Sequence, residues 1–124
     1  MRMDTALEAR LNALLQADER EAIGALIAGR DRETQVAMNR LACGYFLEQG
    51  QYVDAVFCAS HAGDGDRVFE ILDIPDARQQ AQEFIPSNVY IQCSHGTPLG
   101  LLNTPYHDLY WMLHFHAGAR KPTT

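Results

Sequence analysis

The chain has 124 residues, 47% of them hydrophobic and 21% charged, with a net charge of −6. That is enough for one modest core and too apolar for a disordered chain. Lys and Arg are not clustered as phosphate contacts require, which excludes non-specific nucleic-acid binding. No run reaches the roughly 18 apolar residues that span a bilayer, and MRMDTALEARL lacks the apolar stretch of a secretory signal. A cytoplasmic protein with no membrane partner is expected. Cys43, Cys58 and Cys93 are widely spaced and form no C-x-x-C pair, so reduced thiols are expected and no disulfide framework.

In chain order, Ala6, Leu7, Leu11, Leu14 and Leu15 recur at helical spacing and predict a first helix. Asp18 and Glu21 have capping-box spacing, and the helix that follows carries Ile23, Leu26 and Ile27 up to Gly29. Asp31 is placed to cap a third helix, striped by Met38, Leu41, Ala42, Tyr45 and Phe46 and closed by Gly50. Val53, Val56, Phe57 and Ser60 predict a helix that ends at Gly63. The GDGD turn and a helix with Val68, Phe69, Ile71 and Leu72 come next, stopped by Pro75. DARQQAQEF reads as a short helix that stops before Pro86. In SNVYIQCS, Val89, Ile91 and Cys93 alternate, which predicts an extended finger over about 88–94. Thr97-Pro98 has the chemistry of a helix start, and Pro105 enforces a break. A last helix begins at His107 or Asp108, with Gly118 as a left-handed terminus. The expected fold is therefore all-α, a single helical domain over 1–120 with an N-terminal helical part at 1–50 and a tail at 121–124.

The last segment, with Thr97, Pro98, Leu99, His107, Trp111, Phe115 and Ala117-Gly118-Ala119, resembles the ankyrin repeat family. DAVFCASHAGDGDRVFEIL is similar to the same unit, with Ala59 at the small position, Gly63 at the turn, and Val68, Ile71 and Leu72 in the core. The resemblance covers about 54–73 and 97–120, with an insert at about 76–92. It implies stacked short helical hairpins, an ankyrin-like α-solenoid fragment over 51–120, and a protein-binding role. It also gives His107 a structural part in the turn, and puts Trp111 and Phe115 in the core. A second likeness, to tetratricopeptide repeats, covers 42–62 through Gly50, Tyr52, Ala55 and Ala62. It implies pairing of the Met38–Gln49 and Val53–Ala62 helices instead.

Charge points the same way. From Glu48 to Asp76 there are seven acids against one base, Arg67, while the rest of the chain balances. A basic protein partner met by Asp64, Asp66 and Glu70 is expected. The last helix carries Leu109, Tyr110, Trp111, Met112, Leu113 and Phe115, so it is apolar on every side. Such a helix is covered on every side. With Trp111 and Phe115 turned inward, Leu109, Met112 and His116 form a second face expected to meet a partner or a second copy. The function read from these features is protein binding by a small acidic stoichiometric inhibitor of immunity or phage type, not an enzyme and without a cofactor. One alternative is a metal- or redox-dependent regulator that uses Cys93, which would share a face with His95 on an extended segment, together with His107 and His114. The other is a structural subunit that homodimerises through the last helix.

Overall fold

Asp4 opens the first helix: its carboxylate accepts the Leu7 amide at 2.7 Å, and α1 then runs Thr5–Gln16. A computed structural model of the chain describes residues 3–96 and 104–119. Within them the fold is all-α, with α2 at Arg20–Ala28, α3 at Arg32–Glu48, α4 at Tyr52–His61, α5 at Gly65–Leu72, α6 at Pro75–Phe84, α7 at Ser87–Ser94 and α8 at Pro105–Ala119. No described helix is long and apolar enough to cross a membrane. The chain divides into two compact units, Met1–Arg67 and Val68–Thr124.

In the first unit α1 packs on α2 and α3, α2 on α3, and α3 most extensively on α4. Leu7, Leu11 and Leu15 form the buried stripe of α1, facing a core with Met38, Ala42 and Phe46. Ala55 and Ala59 are buried on α4, and their small side chains let α3 and α4 approach closely. Two turns depend on glycine: Gly50 (φ +71°) after α3 and Gly63 (φ +77°) after α4 both occupy the left-handed region. Asp31 caps α3 as expected, accepting the Thr34 amide at 2.9 Å.

In the second unit α8 packs on α6 and α7. Pro75 occupies the first turn of α6, where its missing amide costs nothing, so it starts a helix as well as following one. Ala77 and Ala81 are the buried positions of α6.

Three local expectations are corrected. The extended finger at 88–94 is helix α7. Val89 and Cys93, four apart, are buried on one face, while Ile91 is 58% exposed. A short apolar run with alternation fits a helix equally well, and packing against α8 decides between them. Asp18 does not cap α2: it takes a left-handed φ of 55° after α1, and its carboxylate instead accepts from the Arg20 guanidinium at 2.9 Å. Gly118 lies inside α8 rather than ending it. The expected helix start at Thr97, Pro98 and Leu99 and the tail at 121–124 lie outside the described residues.

Candidate functional site

The faces of α8 are reversed from the sequence expectation. Leu109, Tyr110, Leu113 and His116, at three- and four-residue spacing, form the buried face; Leu109 has no exposed surface and His116 only 4%. Trp111 and Met112 are half-buried, and Phe115 is 59% exposed. So Leu109 and His116 do not belong to an outer face, and Phe115 does not face inward. The reason is the helix's composition. With apolar residues on every side, periodicity fixes no orientation, and α6 and α7 decide which side they cover.

His116 is accommodated by a specific bond. Its Nε2 lies 2.8 Å from Asp73 Oδ1, and its ring sits edge-on to Phe69 with centroids 5.7 Å apart. A buried imidazole with a carboxylate partner is satisfied where a buried unpaired one would be costly. Cap chemistry also helps place α8: Thr104 Oγ1 accepts the His107 amide at 3.3 Å, and Pro105 fills the first helical position.

The outer side of α8 is aromatic. Trp111 contacts His114 at 5.2 Å, Phe115 at 5.7 Å and Tyr110 at 5.5 Å between centroids. Tyr110 in turn meets Tyr90 of α7 at 5.1 Å. Tyr90 is 39% exposed. Rings from two helices thus run from the interior of the unit to solvent.

The acidic segment is only partly available to a partner. Asp64 is held by Arg40 through two bonds of 3.0 Å, which keep its carboxyl below the usual range, and Asp54 pairs with Arg20. Asp73 engages His116. Asp66 and Glu70 are exposed at the start and middle of α5. Of the three expected acidic contacts, Asp64 therefore already has an arginine across it, and Glu70 is engaged as well.

The candidate ligating residues do not converge. Cys93 is buried in α7, whereas His95 is exposed just past the helix end, so the two do not share the face that an extended segment would have given them. Among the described residues, no group of three or more His, Cys, Asp or Glu side chains is placed to hold a metal ion. The thiols of the first unit are shielded: burial pushes Cys58 up to about 12 and raises Cys43, against a smaller opposing effect of Arg67.

One feature was not anticipated from the sequence. In the first unit, α2, α3 and α4 enclose a cleft of about 410 Å³. Each helix contributes one face: Arg20, Ile23, Gly24 and Ile27 from α2, Arg32, Gln35, Asn39 and Phe46 from α3, and Asp54, Phe57, Cys58 and His61 from α4. The walls are tied by polar bonds. Gln35 Nε2 donates to the Ile27 carbonyl at 3.2 Å, and Arg20 lies over the Phe46 ring at 5.4 Å while binding Asp18 and Asp54. Those carboxylates raise the Arg20 pKa further. The signal was present in the sequence as stripes that mix apolar and polar residues, but each stripe alone reads as an amphipathic helix.

No protein-family model matches the chain, and comparison with curated proteins and with solved structures gives no match.

Proposed function

We propose that this protein is a protein-binding module, a small acidic cytoplasmic binder that occupies or blocks a basic partner in a one-to-one complex and performs no catalysis. The observation that carries this reading is the aromatic outer side of α8, where Phe115 is 59% exposed beside Trp111 and His114. Trp and other aromatic side chains dominate binding hot spots, and large exposed apolar groups in a cluster mark interaction sites. The net charge of −6 favours a basic partner and predicts electrostatic steering. In place of Leu109 and His116, the proposed contacts are Phe115, Trp111 and Met112, with Asp66, exposed at the start of α5, as the acidic one.

A helical-repeat character is part of the same proposal. The close packing of α3 on α4 favours the tetratricopeptide-like likeness at 42–62. Burial of Ala59, Val68, Ile71 and Leu72 suits the ankyrin-like likeness at 54–73. Exposure of Phe115 counts against an ankyrin-like core for 97–120.

The test is affinity capture from the native host with the wild type and with Phe115→Asp, alongside molar mass in solution. Capture of one stoichiometric partner by the wild type, lost in the variant at an unchanged melting temperature and with an association rate that falls with salt, supports the reading. A wild-type dimer that Phe115→Asp converts to a monomer would replace it with the homodimeric subunit.

A further inference from the structure

We infer that the cleft of the Met1–Arg67 unit is a binding site for a small amphipathic carboxylate that carries a hydrogen-bond donor at the far end of its apolar chain. This site stands independently of the aromatic side of α8.

A volume of about 410 Å³ falls in the range of small-ligand pockets, and such sites combine apolar walls with a few placed polar groups. Ile23, Ile27, Phe46 and Phe57 supply the apolar walls.

Charge selects the head group. Of the charged side chains on the cleft, Arg20 is engaged by Asp18 and Asp54, and Asp54 by Arg20. Arg32 lines the same cleft and has no carboxylate partner among the described residues. Its guanidinium reaches across to the turn after α4, where a Cβ on Gly63 would lie 3.7 Å from Nη2. A lone guanidinium fork matches one carboxylate with two parallel bonds.

Asn39 sets the other end. It is buried to 7% exposure, and its Nδ2 donates to the Gln35 carbonyl at 3.0 Å. Its side-chain oxygen accepts no bond among the described residues, although Asn39 lines the cleft. That oxygen is not among the fully buried unpartnered atoms, so it remains open to a donor from a molecule in the cleft. Seven residues separate Arg32 from Asn39 on α3, or roughly 10 Å along the helix. That is the length of a medium chain, with a carboxylate at one end and a hydroxyl or N–H at the other.

The probes are 8-hydroxyoctanoate, octanoate and 1,8-octanediol, titrated into the full-length protein and followed by the amide resonances of Ile23, Ile27 and Phe57. Saturable shifts are expected with 8-hydroxyoctanoate, with octanoate weaker and the diol at least about tenfold weaker, as one lost charge-assisted interaction implies. Arg32→Gln should erase the preference for acid over diol, and Arg32→Lys should keep part of it. Arg32 is exposed, so both variants are expected to melt like the wild type. Absence of saturable shifts, equal binding of acid and diol, or a preference that survives in Arg32→Gln would each overturn the assignment.

Discussion

Leu109→Ala and Phe115→Ser together test which side of α8 is internal. Leu109 is wholly buried and packed in the unit that α6, α7 and α8 form, whereas Phe115 is 59% exposed six residues further along the same helix. Removing a buried leucine side chain to alanine costs about 2–5 kcal/mol, from lost transfer energy and from the cavity left behind. With a urea slope of about 1–2 kcal/mol per molar for a unit of this size, a loss of about 3 kcal/mol moves the midpoint down by roughly 2 M. Phe115→Ser removes surface that is mostly in water already, so its midpoint should move by less than about 0.5 M. The assay is built in. The chain has one tryptophan, Trp111, which lies on α8 between these two positions, so its fluorescence reports this helix directly. If Phe115→Ser costs as much as Leu109→Ala, the helix is covered on both sides and the reversal of faces described above is wrong.

Two further outcomes are expected in the first unit. The Asp31 carboxyl is held below its usual range by its bonds to Thr34, and that of Asp64 chiefly by its bonds to Arg40. For groups depressed in the folded state, the stabilisation is present above the ordinary carboxylate value near about 4 and is lost as pH falls through the folded value. Asp31→Asn with Asp64→Asn should therefore flatten the acid limb of the stability curve below about pH 4; an unchanged limb refutes the assignment. Because the Cys58 thiol is pushed up to about 12 by burial, iodoacetamide at pH 8 should leave it unmodified in the native protein and label it after denaturation, as peptide mass analysis would resolve. Rapid native labelling would show that the α3–α4 seam opens easily.

The parts of the fold that were readable from the sequence are those fixed by local chemistry. Asp31 with Thr34, the leucine stripe of α1, and the left-handed Gly50 and Gly63 each involve residues within a turn or two of one another. Where the reading went astray, distant packing made the choice. Val89, Ile91 and Cys93 fit a strand or a helix equally, and α8 selects the helix. The apolar sides of α8 are equivalent in sequence, and they are distinguished only by α6, α7 and the Asp73 carboxylate that receives His116. The cleft was hidden for a different reason. Its lining is drawn from three helices, and no one of them shows a concave surface.

The helix that forms one wall of that cleft has little holding it. α2 is nine residues long, lacks a side-chain cap, and buries only Ile23. A helix so short is marginal by itself in water, so its persistence rests on Ile23, on the Gln35 bond to Ile27, and on Arg20 at its first turn. Regions with few buried apolar groups open locally at a small fraction of the global unfolding energy. The amides of α2 should then exchange with solvent much sooner than those of α3, whose Met38 and Ala42 are fully buried. A molecule that fills the cleft would add contacts to α2, and its binding should then be visible as slower exchange of the α2 amides.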